Sequence, residues 1–204
     1  MMSLPLQPYD SAIALLDSPY LIPGLALAVS VLWGAAELLS LPRSRTQLEI
    51  PRGDWLTVCL GVVPPAGVAT SVLWQWFFAS GKFHPALIVP SLVLCLAGIG
   101  LRIWSKLVLG RFYTFAIGLT EGHRILAEGP YRFVRHPLYL GTLIAVTGFP
   151  LLTQSWATLW LLTLPTAIVY GLRLFKEEAY LVSHLGDDYL RYAQRTARLI
   201  PFVW

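Results

Sequence analysis

The sequence predicts an all-α integral membrane bundle of five transmembrane helices, with an ordered cytoplasmic loop and C-terminal amphipathic helices. Two observations carry that fold class. Of the 204 residues, 56% are hydrophobic and only 13% are charged, with a mean hydropathy of +0.62; a soluble globular domain carries about 25% charged residues. The charges also stand in blocks that leave long neutral runs between them, the pattern of one polytopic domain with short connections.

The spans follow in order. Residues 1–18 lack the basic start of a cleaved signal peptide and read as a short outside tail. Residues 19–41 hold one ionisable group, Glu37, near their end; 55–81 hold none, and 83–101 hold only His84. Each run is long enough for one crossing. Residues 137–172 carry no charge. As one helix they would reach about 54 Å, against a hydrocarbon core of about 30 Å. They must form two spans, with the turn at Thr153-Gln154-Ser155. In the second span Pro64-Pro65 and Gly67 predict a kink, because neither ring nitrogen can donate to the ladder. Glu37 reads as an interfacial carboxylate pairing near Arg43 and Arg45. Cys59 and Cys95 both fall inside spans, which argues against a disulfide framework.

Positive charge sets the orientation. Five spans put 42–54, 102–136 and 173–204 on one side, and those segments hold 14 of the 15 Lys and Arg residues, with Lys82 alone opposite. The positive-inside rule then places the N-terminus outside and the C-terminus in the cytoplasm, in an inner, plasma or endoplasmic reticulum membrane. Trp55 and Trp104 fall near one interface and Trp74, Trp76, Trp156 and Trp160 near the other, as an aromatic belt would place them. The net charge of +4 and pI of 9.2 follow from this orientation and from contact with anionic lipid. They do not indicate nucleic-acid binding.

Chemistry concentrates in two places. The loop 102–136 is punctuated by Gly110, Gly118, Gly122 and Gly129, with Phe112, Tyr113, Phe115, Tyr131 and Phe133 between them. Such spacing suits an ordered loop whose backbone approaches a ligand. It runs into Gly129-Pro-Tyr-Arg-Phe-Val-Arg-His-Pro-Leu-Tyr-Leu-Gly141. Pro137 suits the first position of the fourth span, so Arg135, His136 and backbone amides gather at a helix start, a natural seat for a carboxylate. The second place is Arg173-Leu-Phe-Lys-Glu-Glu178, where the fifth span ends. Beyond it, 177–184 and 187–195 read as two short helices broken at Gly186, with Leu181, Leu185, Tyr189 and Tyr192 on one face.

Several chemistries drop out. His123 and His136 have no cysteine near them, so no zinc ligand set is visible and no metal is expected. No serine stands in an elbow-like turn, and neither phosphate-cradling glycine fingerprint is present. What remains is a membrane-embedded pocket of Tyr, His, Arg and Glu that suits a zwitterionic nucleoside cofactor, with Glu177 able to accept both ribose hydroxyls. Spacing alone leaves a second choice open. Arg173 and Glu177, four apart on one helical face, equally suit a local salt bridge worth about 0.3 kcal/mol.

Over residues 120–203 the chain resembles the isoprenylcysteine carboxyl methyltransferase family and its relatives, the membrane phospholipid methyltransferases. Six pieces carry the resemblance in order: Gly122-His123-Arg-Ile-Leu126, Gly129-Pro-Tyr131, Arg135-His-Pro-Leu-Tyr139-Leu-Gly141, Arg173-x-x-x-Glu177-Glu178, Leu185-Gly-Asp-Asp-Tyr189-Leu-Arg-Tyr192 and Pro201-Phe202. The resemblance implies a methyltransferase that binds S-adenosyl-L-methionine through His123, Arg124, Ile125, Leu126, Tyr131, His136, Pro137, Leu138, Tyr139 and Glu177. It assigns Arg173 to the methyl acceptor, as the catalytic and substrate-binding residue. The acceptor it implies is lipid-like or prenylated, reached from the bilayer, with a carboxylate favoured because arginine can hold one by a forked contact. A phospholipid amine and a small thiol are the alternatives within the class. Residues 1–108 would form three scaffold spans of a single domain, and 109–204 its cofactor loop, helical hairpin and C-terminal cap. An NADPH-dependent reductase of the sterol reductase type is the rival enzyme. Those proteins typically carry Trp where Tyr131 stands and Asn where Leu138 stands, so this sequence favours methyl transfer. A non-catalytic membrane scaffold or transporter is the third class, and it predicts dispensable pocket residues.

Overall fold

In the computed structural model, the described residues are 18, 20–39, 54–78, 84–120, 122 and 124–200. Among them the fold is helical throughout. Helix α1 spans Leu21–Leu39, α2 Trp55–Phe78 and α3 Ile88–Leu109, the last entered through a 3-10 turn at Pro85–Leu87. Helix α4 spans Pro137–Thr153. A short α5 at Trp156–Thr158 leads through a π-helical stretch, Leu159–Thr163, into the long α6, Leu164–Arg195. Four of these segments are long and apolar enough to cross a membrane, and α4 is a shorter apolar helix beside them. The bundle is thus the expected set of five spans, and the 36-residue neutral run divides where it must. Gln154 is left-handed at φ 48, and its side chain receives the His84 amide at 2.7 Å and donates to the His84 carbonyl at 3.0 Å. The turn is thereby tied to the start of α3.

Small residues decide the central packing. A Cβ on Gly98 of α3 would stand 2.4 Å from the Ala145 amide nitrogen and 2.5 Å from the Gly141 carbonyl of α4. On Gly148 it would meet Cys95 Sγ at 2.6 Å and the Ser91 carbonyl at 2.9 Å. Lipid gives helices no hydrophobic reason to associate, so close backbone approach over small residues is what holds this pair. Phe149, Leu152 and Leu162 complete the buried core against Ala26 and Val29 of α1. The outer surface is apolar, with Val31, Val62, Phe77 and Val89 among its exposed side chains. All six belt tryptophans are exposed as well.

Helix α2 continues as one helix through Pro64-Pro65, and a widened turn lies in the last span. Pro165 has no N–H for the Leu161 carbonyl four residues back, and the preceding ladder opens into the π stretch. That carbonyl lies against Gly67, where an added Cβ would be 2.8 Å away. Helix α6 does not restart near Glu177. Nothing after Pro165 breaks the helix until Gly186, which is non-helical at φ 53 and ψ −130, so the span runs directly into the amphipathic segment. Glu37 is held by Arg102 and Lys106 of α3, and accepts from Trp33 Nε1 at 3.3 Å. The reason is register: the last turn of α1 lies beside α3, so cations across the helix pair reach it. Arg43 and Arg45 lie outside the described residues.

Candidate active site

Helix α3 ends at Gly110, whose positive φ of 50 turns the chain into a 3-10 turn over Gly110–Phe112. A second 3-10 turn, Gly129–Arg132, brings the chain back to Pro137, the first residue of α4. Gly129 has φ 53, and a Cβ there would also crowd Val108 Cγ2 at 3.0 Å. These turns fold the loop over the mouths of α4 and α6 and enclose a cavity of about 1090 Å³, counting its open mouth.

Nine of the eleven residues singled out from the sequence line that one cavity: Arg124, Ile125, Leu126, Tyr131, His136, Leu138, Tyr139, Arg173 and Glu177. Pro137 is buried and serves as the helix start, outside the cavity lining. His123 lies outside the described residues, as does the Pro201-Phe202 pair. The sequence reading missed Arg102 and Tyr170, which also line the space together with Tyr113 of the loop. Arg102 connects it to the scaffold, donating to Thr142 Oγ1 at 2.9 Å and to Tyr170 Oη at 3.4 Å while holding Glu37. An intramembrane arginine four residues from a lysine was the available signal.

Arg173 and Glu177 are not a plain salt bridge. Between them stands Tyr139, which accepts from Arg173 Nε at 2.9 Å and donates its hydroxyl to Glu177 Oε2. Arg173 is only 3% exposed, and its other nitrogens are also engaged. One donates to Thr57 Oγ1 and the other to the Phe115 carbonyl at 2.6 Å. Thr57 in turn donates to Asp54, whose carboxylate lies 4.0 Å from Arg173 and 3.1 Å from Lys176 Nζ. The buried guanidinium is therefore bracketed by two carboxylates, each reached through one hydroxyl.

The neighbouring Glu178 has a different task. It binds Arg135 at 2.9 Å, Arg198 at 2.8 Å and His136 Nε2 at 3.4 Å. Arg135 also donates to the carbonyls of Ala193 and Thr196, and its amide donates to Ala197 at 2.8 Å. The 196–198 strap is thus fastened across the start of α4. Glu178 thus places one carboxylate of the protein itself beside this helix start. His136 stacks on Tyr139, with ring centroids 5.3 Å apart, and presents its ring to the cavity.

Tyr131 differs from all of these. Its ring is buried, its carbonyl accepts from Tyr192 at 2.7 Å, and among the described residues its hydroxyl has no hydrogen-bond partner. A buried hydroxyl without a partner is costly, and this one belongs to a cavity-lining residue. Burial, and then the charge of Glu177, push its pKa well above the usual phenol value, so it remains a neutral donor. Tyr113 is pushed up to about 12, chiefly by burial.

A multi-helix membrane bundle whose last hairpin and preceding loop enclose a polar cavity at one mouth is the class that fold and site define. Residues 91–183 match the sequence model of the Isoprenylcysteine carboxyl methyltransferase (ICMT) family. The match begins within α3, upstream of the motifs that suggested it, and stops before the Leu185–Tyr192 piece. Methanethiol S-methyltransferase 1 of Bradyrhizobium diazoefficiens is 31% identical over 144 residues, covering 64% of this chain and 50% of that protein. Protein-S-isoprenylcysteine O-methyltransferase B of Arabidopsis thaliana is 32% identical over 133 residues, covering 62% and 66%. The Schizosaccharomyces pombe Protein-S-isoprenylcysteine O-methyltransferase is 34% identical over 83 residues, covering 41% and 35%. The chain thus spans between about a third and two thirds of these relatives. A solved structure of the eukaryotic intramembrane Ras methyltransferase ICMT superposes with a TM-score of 0.69 at 22% identity, covering 92% of this chain and 69% of that one. This likeness establishes the shared fold.

Proposed function

We propose that this protein is an integral membrane methyltransferase that uses S-adenosyl-L-methionine and methylates a lipid-like acceptor. The observation that carries the proposal is the convergence of nine sequence-singled residues on one cavity. The names of its relatives point the same way. The cavity fits the cofactor in its chemistry: among the described residues the buried Tyr131 hydroxyl has no partner, which leaves a donor for a ligand. When bound, S-adenosyl-L-methionine supplies an electrophilic methyl group on a sulfonium.

The residues divide the remaining work. Glu177 accepts ribose hydroxyls, its carboxylate oriented by Tyr139. Tyr131 donates its hydroxyl, Ile125, Leu126 and Leu138 supply apolar walls, and Arg124 and His136 meet the cofactor's carboxylate end; His123 and Pro137 complete the same segments. Arg173 holds the acceptor. An acceptor carboxylate is already a nucleophile, so the site needs alignment more than proton transfer. An isoprenylcysteine-type carboxylate is the first reading. Transfer to a small thiol is the second, favoured by the similarity to a methanethiol methyltransferase over 64% of the chain. The placement of positive charge supports a cytoplasmic cavity mouth and C-terminus, with the N-terminus outside. Calorimetric titration of the detergent-purified protein with S-adenosylhomocysteine, with NADPH in parallel, tests the proposal. Binding of the former alone supports it, and binding of NADPH alone moves the protein to the reductases.

A further inference from the structure

We propose that Asp54, delivered to Arg173 through Thr57, is a specificity-determining residue that acts as a resident competitor for the acceptor's anionic group. The inference rests on the reading of Arg173 as the acceptor residue and goes beyond it. Asp54 precedes α2, outside the segment that matches the family, and does not line the cavity. It is nevertheless 8% exposed and lies 4.0 Å from the guanidinium.

A forked contact to a carboxylate uses two nitrogens on one edge of the guanidinium. Here Nε donates to Tyr139, one terminal nitrogen to Thr57 and the other to the Phe115 carbonyl. Every edge therefore includes a nitrogen already committed to the protein. Tyr139 and Phe115 are cavity walls, whereas the Thr57–Asp54 arm comes from another helix and serves only as hydroxyl and counter-charge. Asp54 is itself steadied by Lys176 at 3.1 Å. An incoming carboxylate must take Thr57's place and then share Arg173 with a second carboxylate, and like charges at that range oppose one another. An acceptor with an uncharged head group meets no such competition. Asp54 thus biases the site toward uncharged acceptors, by penalising the competitor and not by improving contacts with the favoured ligand.

The test is direct equilibrium binding, without a methyl donor, of a radiolabelled N-acetyl-S-prenylcysteine and of its alcohol analogue, in which the carboxyl is reduced. The proteins are detergent-purified wild type, Asp54→Asn and Thr57→Val. Asp54→Asn is expected to bind the carboxylate about tenfold tighter, the scale of one charge-assisted hydrogen bond, and to bind the alcohol as wild type does. Thr57→Val keeps the net charge while freeing one nitrogen of Arg173, and shifts the carboxylate-to-alcohol ratio in the same direction by less. A ratio unchanged in Asp54→Asn overturns the proposal. So does a shift in Asp54→Asn with none in Thr57→Val, which would make the effect one of bulk charge. Titrating the same samples with S-adenosylhomocysteine separates the two ideas. A shifted ratio without cofactor binding keeps the competition at Arg173 and removes methyl transfer.

Discussion

Tyr131, Glu178 and Asp54 show how differently polar side chains in one site are used. Tyr131 brings a hydroxyl that has no partner among the described residues, so Tyr131→Phe should leave the thermal stability of the ligand-free protein unchanged or slightly raised. The same substitution should weaken S-adenosylhomocysteine binding about tenfold, read by calorimetry. Glu178 is the reverse case, because Arg135, Arg198 and His136 all meet it. Glu178→Gln should cost about 3 kcal/mol of stability, the scale for breaking a buried ion pair, seen as a lower unfolding midpoint. Asp54 makes stability depend on pH. Burial alone would raise its pKa, but the Thr57 hydrogen bond, Lys176 and Arg173 outweigh burial and hold it below 3.8. A depressed carboxyl stabilises the fold above its unfolded pKa and loses that contribution as pH falls through the folded value. Between about pH 5 and about pH 3 the wild-type unfolding midpoint should therefore fall more steeply than that of Asp54→Asn. At this scale nine of the residues singled out from the sequence fall on one cavity. The sequence could not identify the Thr57–Asp54 arm, which joins residues more than a hundred positions apart and carries no local motif.

Among the elements, α3 and α4 set the geometry on which the site depends. Gly141 belongs to the motif and to the packing seam at once, since a Cβ there would meet the Gly98 carbonyl at 2.7 Å and the Arg102 amide at 2.8 Å. Gly98→Ala should prevent close approach of the two helices and abolish the folded, monodisperse protein in size-exclusion chromatography. Gly100→Ala, on the same helix with nothing within 4 Å, should be neutral or stabilising by up to about 1 kcal/mol. The hairpin at Gln154 was legible because an uncharged run of that length cannot be one span. The break at Gly186 was legible from the glycine itself. The continuity of α6 from the membrane into its amphipathic end was not, because a change in composition is not a change in backbone. Nor was the π stretch before Pro165, since proline marks where a ladder fails but not how the chain absorbs the fault.

The whole molecule is a bundle whose polar groups gather at one mouth. Charge-poor runs, tryptophans at their ends and one-sided cations made the five spans readable from composition. Burial and long-range pairing were not readable that way, and Glu37 is the clearest instance. It is bound by Arg102 and Lys106, 65 and 69 positions along the chain, which links the first span to the cavity wall. That link joins the expected scaffold half, 1–108, to the cofactor half, so substitutions at Glu37 should register at the cavity. The central claim is that this cavity holds a methyl donor, and calorimetric titration of the purified full chain with S-adenosylhomocysteine tests it most directly. The account predicts saturable micromolar binding that is lost in Glu177→Ala while the helical fold persists by circular dichroism. Folded wild-type protein that takes up NADPH and not S-adenosylhomocysteine would contradict it.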